Sequence, residues 1–124
     1  MAKGDRSIHP KALPHYWKAV IAREKLQKYV LDPTSESGKN KARVFKSALG
    51  IEQSDWKRLA QIILDELPYY EAEAQIEDEY GKRYTVVLKL MGLDGSLYDV
   101  VTGWIYDAGK NYLRFTTARV ITKR

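Results

Sequence analysis

The spacing of apolar residues along this chain changes once, at Pro68. Before it the period is helical. Leu26, Tyr29 and Val30 fall at i, i+3 and i+4, with Lys25 and Lys28 outside the stripe, which predicts a helix from about Arg23. Asp32-Pro33 ends it, because a residue before proline avoids helical backbone. Ala42, Phe45 and Leu49 share one face of a second helix over 39–49, and Gly50 is a left-handed stop. Trp56, Leu59, Ile63 and Leu67 form the stripe of a third, with Ser54 expected as its cap and Asp55 at the positive end of its dipole. After Pro68 the period is two. Ala72, Ala74 and Ile76 alternate with Glu71, Glu73, Gln75 and Glu77, a weak strand whose charged side suits a sheet edge. Three further strands are predicted over 82–91, 97–106 and 112–122. They are joined by turns at Asp94-Gly95 and over 107–111.

Helices followed by hairpin-linked strands predict an α+β fold, with three N-terminal helices packed on one face of a four-stranded antiparallel β-meander. Residues 1–20 read as an N-terminal extension, broken by Pro10 and Pro14, although Tyr16, Trp17 and Val20 are apolar enough to pack on a core. Residues 21–124 then form a single domain. One sheet face remains uncovered. Parity places Tyr98, Thr102, Trp104 and Tyr106 on one side of the third strand and Leu97, Val101 and Ile105 on the other. If the aromatic side is the open one, Trp104 is a stacking platform for single-stranded RNA. Otherwise it packs on the helices.

A chain of 124 residues is large enough to bury a core without covalent staples. It has no cysteine, which excludes disulfides, thiolate-held zinc and a cysteine nucleophile, and suits a reducing compartment. No apolar run approaches the length of a membrane span, and the N-terminus lacks the apolar stretch of a secretory signal. These features predict a cytoplasmic protein with no membrane partner. The net charge of +5 is unevenly laid down: residues 1–50 carry +7, residues 51–80 carry −7 and residues 81–124 carry +5. If folding joins the two basic segments, one face becomes strongly positive and suits a polyanion.

The densest basic run is Lys39, Lys41, Arg43 and Lys46, within about two helical turns. Gly38-Lys39 resembles the end of a phosphate loop. However, Pro33 occupies the position of the required glycine and Asn40 that of the hydroxyl residue, so a nucleoside-triphosphate loop is rejected. The two histidines, His9 and His15, sit in the proline-broken extension away from any carboxylate cluster, so neither a metal site nor a cofactor is expected. The remaining inventory of Lys, Arg, Tyr, Thr and Asp suits metal-independent RNA cleavage. There the substrate's own 2′-hydroxyl is the nucleophile, and the protein supplies proton transfer and charge stabilisation. Lys41, Arg114, Tyr84 and Thr117 are the candidate catalytic residues. Lys39, Arg43, Lys46, Arg83 and Trp104 are the candidate RNA-binding residues. Lys41 is expected to be crowded by Lys39 and Arg43.

Several strings recur together: Glu24-Lys25-Leu26 with Tyr29-Val30-Leu31, Gly38 with Lys41-Ala42, Phe45 and Leu49-Gly50, Tyr80 to Tyr84, Trp104-Ile105, and Leu113-Arg114-Phe115 with Thr117-Ala118. On these the chain resembles, over about residues 20–121, a family of small bacterial proteins with a domain of unknown function. Its members are often encoded beside a small partner protein, in a toxin–antitoxin-like arrangement. Leu113 departs from the proline that relatives tend to carry before the arginine. The order of elements is similar to that of the barnase–EndoU–colicin–RelE-like ribonuclease toxins. The resemblance implies an RNA substrate and a cognate antitoxin protein as partners. The expected function is therefore a ribonuclease toxin; the alternative is a non-catalytic binding module for a protein or RNA.

Overall fold

A computed structural model describes residues 6–122. The expected extension and the predicted end of the domain therefore lie partly outside the described residues, at 1–5 and 123–124. Helix α1 begins as Arg23–Lys25 and widens over Leu26–Val30, where the Leu31 amide donates to the Leu26 carbonyl at 2.8 Å. Helix α2 runs over Lys39–Val44 and widens in the same way over Phe45–Leu49. It stops at Gly50, whose φ of 69° is left-handed. Helix α3 covers Trp56–Glu66. Four strands follow: β1 (Ala72–Ala74), β2 (Gly81–Met91), β3 (Leu97–Asp107) and β4 (Leu113–Ile121). They form one sheet in the order β1-β2-β3-β4, each pair antiparallel. The fold is the α+β meander expected from the change of period.

Phe45, Leu49, Leu59 and Ile63 are buried against the sheet, as their helical spacing predicts. Trp56 is half-buried at the margin, with the Arg23 guanidinium 5.2 Å from its ring centroid. Ser54 does not cap α3. A short 3₁₀ turn over Gln53–Asp55 precedes the helix, and Glu52 and Asp55 satisfy each other's backbone amides there. Carboxylates on both sides of that turn outcompete the hydroxyl. The first strand is also shorter than its alternation suggests. Ile76 lies beyond it and is 90% exposed.

Residues 6–19 lie along the domain. Leu13 is buried in the core, and Arg6 grips Glu66 with contacts of 2.8 and 3.1 Å. The Val20 amide donates to the Leu113 carbonyl and its carbonyl accepts from the Phe115 amide, covering the outer edge of β4. Trp17, in contrast, is exposed.

The register decides which sheet face is open. Val86, Thr102 and Ala118 share one row, and Leu88, Val100 and Val120 another, and all six are buried under the helices. Trp104 stands on this same covered face, opposite Tyr84 and Phe115. It is 1% exposed and packs edge-on to Phe115, with ring centroids 5.5 Å apart. Its Nε1 donates to the Thr102 hydroxyl at 2.8 Å, which itself donates to the Val86 carbonyl at 2.7 Å. The indole is thus buried and satisfied, and the expected stacking role of Trp104 is overturned. The opposite face carries Arg83, Ile105 and Arg114 in one row, with Ile105 itself buried, and Thr85 and Gly103 in the next.

Candidate functional site

Helical geometry divides the basic run of α2. With 3.6 residues per turn, Lys39, Arg43 and Lys46 fall on one side and Lys41 roughly half a turn away. The stripe that carries Ala42 and Phe45 into the core separates them. Lys39, Arg43 and Lys46 line a groove of about 670 Å³ with Leu31, Pro33, Asn40, Ala42 and residues 52–54. Lys39 and Arg43 have no carboxylate partner among the described residues, while Lys46 lies 3.8 Å from Glu52. Lys39 and Arg43 therefore do not crowd Lys41, which stands on the other flank.

On that flank, Lys41 Nζ lies 5.1 Å from the centroid of the Tyr29 ring. The two helices approach so closely here that a Cβ on Gly38 would come within 1.9 Å of the Tyr29 carbonyl oxygen. Glycine at the start of α2 is thus a packing requirement that brings Lys41 over α1. The Tyr29 phenol is held below its ordinary pKa. Hydrogen bonding from Lys41 is the largest cause; burial opposes it, and the Thr117 hydroxyl and the Lys41 and Lys25 charges add to it. Thr117 comes to the same place from β4. Its Oγ1 is buried without a hydrogen-bond partner of good geometry, and it bears on the Tyr29 hydroxyl. Just before it the strand is irregular: Phe115 faces Trp104 and Thr117 faces Gly103, so Thr116 is an extra residue.

Two of the four expected catalytic residues, Lys41 and Thr117, therefore meet at a tyrosine. Lys41 and Tyr29 can donate to an anion, and no carboxylate pairs with Lys41 among the described residues. Arg114 lies three residues before Thr117 on the same strand. Its Nε and Nη2 hold Asp107 at 2.5 and 2.9 Å. That bidentate contact keeps the Asp107 carboxyl below its usual range, against a smaller opposing effect of burial. Arg83, beside it across Ile105, lies 3.4 Å from Asp78. Tyr84 does not join the cluster. It projects on the helix-covered face, with its ring 6.5 Å from that of Tyr106 and Lys82 Nζ 5.6 Å from its centroid. The sheet itself stands between Tyr84 and Arg114.

Sequence reasoning missed Tyr29 because its spacing with Leu26 and Val30 marks a core stripe. A tyrosine at the margin of such a stripe buries its ring and presents its oxygen, and that amphipathic character was the available signal.

The chain thus defines a small α+β domain with a cluster of one ammonium and two hydroxyls where α1, α2 and β4 meet. The profile of a family described as a domain of unknown function, DUF6883, matches residues 12–122, and the chain belongs to that family. No curated protein and no solved structure matches it. No helix among the described residues is long and apolar enough to cross a membrane.

Proposed function

We propose that this protein is a metal-independent ribonuclease, acting as the toxin of a two-protein toxin–antitoxin pair, and that it works at the Tyr29–Lys41–Thr117 cluster. The observation that carries this reading is the convergence, from three separate elements, of an ammonium, a phenol of lowered pKa and a buried hydroxyl directed at that phenol. A phosphate would accept from Lys41 and Tyr29. In the proposed reaction the 2′-hydroxyl attacks the adjacent phosphorus and loses its proton to solvent. The bond from phosphorus to the 5′-oxygen breaks. Tyr29 gives its proton to that oxygen, while Lys41 holds the non-bridging oxygens, on which negative charge builds, and the buried Thr117 hydroxyl positions the phenol. The products are a 2′,3′-cyclic phosphate and a 5′-hydroxyl. Arg114 uses Nε and Nη2 on Asp107, which leaves Nη1 for a flanking phosphate.

A non-catalytic binding module is the second reading. It is favoured by Arg114 and Arg83 each already holding a carboxylate on the open face. Induced expression in a bacterial host, followed by incubation of the purified protein with end-labelled RNA and a chelator, separates the two. Growth arrest and chelator-resistant cleavage ending in a cyclic phosphate are expected. A harmless protein that leaves RNA uncut would exclude the ribonuclease.

A further inference from the structure

The groove on the other flank of α2 has no part in the cleavage chemistry above. Its three cations occur at i, i+4 and i+7 of one helix, so successive Cβ atoms are about 5–6 Å apart and form a linear rail. Leu31, Pro33 and Ala42 give the groove an apolar lining, and Glu52 sets one carboxylate on it, 3.8 Å from Lys46. At its far wall the Ser54 hydroxyl, freed because Glu52 and Asp55 do the capping, makes no hydrogen bond among the described residues. Gln53 beside it is anchored by its amide nitrogen to the Gln27 carbonyl at 2.6 Å, which fixes that wall in place. A row of cations beside an apolar slot with a polar end matches a nucleotide: phosphates along the rail, a base face on the apolar lining, a base edge at the wall. An acidic polypeptide would satisfy the rail but would leave the slot without a flat ligand.

We infer that this groove is an anchoring site for single-stranded RNA, distinct from the Tyr29 cluster, in which Lys39, Arg43 and Lys46 hold successive phosphates and one base enters between them. The inference rests on RNA being the substrate. It makes substrate affinity and bond cleavage the work of opposite flanks of one helix. The groove then sets KM, and the cluster sets kcat.

The test uses the full chain and a labelled 2′-O-methyl oligonucleotide, which binds without being cut because the nucleophile is blocked. Its affinity for the wild type is compared with that for Lys39→Gln/Arg43→Gln/Lys46→Gln, with the fold of the variant checked by circular dichroism. The triple variant should bind at least tenfold more weakly, and the slope of log affinity against log salt should fall by about two. An abasic chain of equal charge should bind the wild type more weakly than the full oligonucleotide. Unchanged binding by the triple variant would overturn the inference. So would equal affinity for the abasic chain or for polyglutamate of matched charge, which would mark the rail as a general polyanion or acidic-partner surface. If the wild type binds and the triple variant does not, but neither cuts unmodified RNA, the groove stands and the ribonuclease reading falls. If the wild type cuts RNA yet ignores the oligonucleotide, the ribonuclease stands and the groove falls.

Discussion

Lys41 stands over the ring of Tyr29, with its Nζ 5.1 Å from the centroid, because Gly38 lets α2 begin against the α1 backbone. The pairing makes the phenol more acidic, so phenolate should form at a pH below the ordinary value of about 10. Lys41→Gln should move that transition back up, which a difference ultraviolet titration reads directly. If Tyr29 donates its proton, activity should fall as pH rises through the same lowered pKa. Tyr29→Phe, which keeps the ring packing, should lose activity by about 100-fold or more with little change in Tm. An active Tyr29→Phe protein would remove the phenol from the chemistry.

In the proposed reaction Thr117 sets stability against activity. A buried hydroxyl without a good partner costs about 1–3 kcal/mol. Thr117→Val keeps the shape and removes the orphaned group, so Tm should hold or rise by a few degrees while cleavage drops. A clear fall in Tm would mean that the hydroxyl is structurally satisfied and the site needs redrawing.

The Asp107–Arg114 clasp predicts an acid-side effect of definite sign. The folded carboxyl is depressed, so its contribution is present above the unfolded value of about 3.9 and is lost as pH falls through the lower folded value. Asp107→Asn should therefore be less stable than wild type from about pH 5 to 8, with the gap closing below about pH 4. The pair is partly exposed, so the gap should be about 1 kcal/mol or less. Thermal melts across that range check both sign and size.

The core makes a plainer demand. Phe45 has no exposed surface, and Phe45→Ala should cost about 3–5 kcal/mol in a denaturant titration. Trp104 should be shielded from aqueous quenchers when Trp17 and Trp56 are replaced by phenylalanine, and its emission should not respond to RNA. Quenching on RNA addition would return Trp104 to the surface.

The switch of period at Pro68 carried nearly all the architecture, because an amphipathic helix and a half-buried strand announce themselves in a single chain. Parity along β3 separated Trp104 from Ile105, but alternation alone cannot say which side the helices will cover. Only the contacts of Phe45 and Leu59 with the sheet decide that. The division of Lys41 from Lys39 and Arg43 was legible in principle, since it follows from 3.6 residues per turn. Lys41 and Thr117 stood out by type. Tyr29 did not, and neither did the separation of Tyr84 from Arg114, which depends on strand faces.

The irregularity at Thr116 has a consequence for how this protein can change. Phe115 and Ala118 both serve the core, and between them lie two residues where strict alternation needs one. Deleting Thr116 would leave inward and outward positions in perfect order, with every core side chain still facing the helices. The core therefore does not require that residue; its presence bends the strand just before Thr117. A chain shortened by this one threonine should fold with a straighter strand and a misdirected hydroxyl. Fold and chemistry would then part company at a single codon.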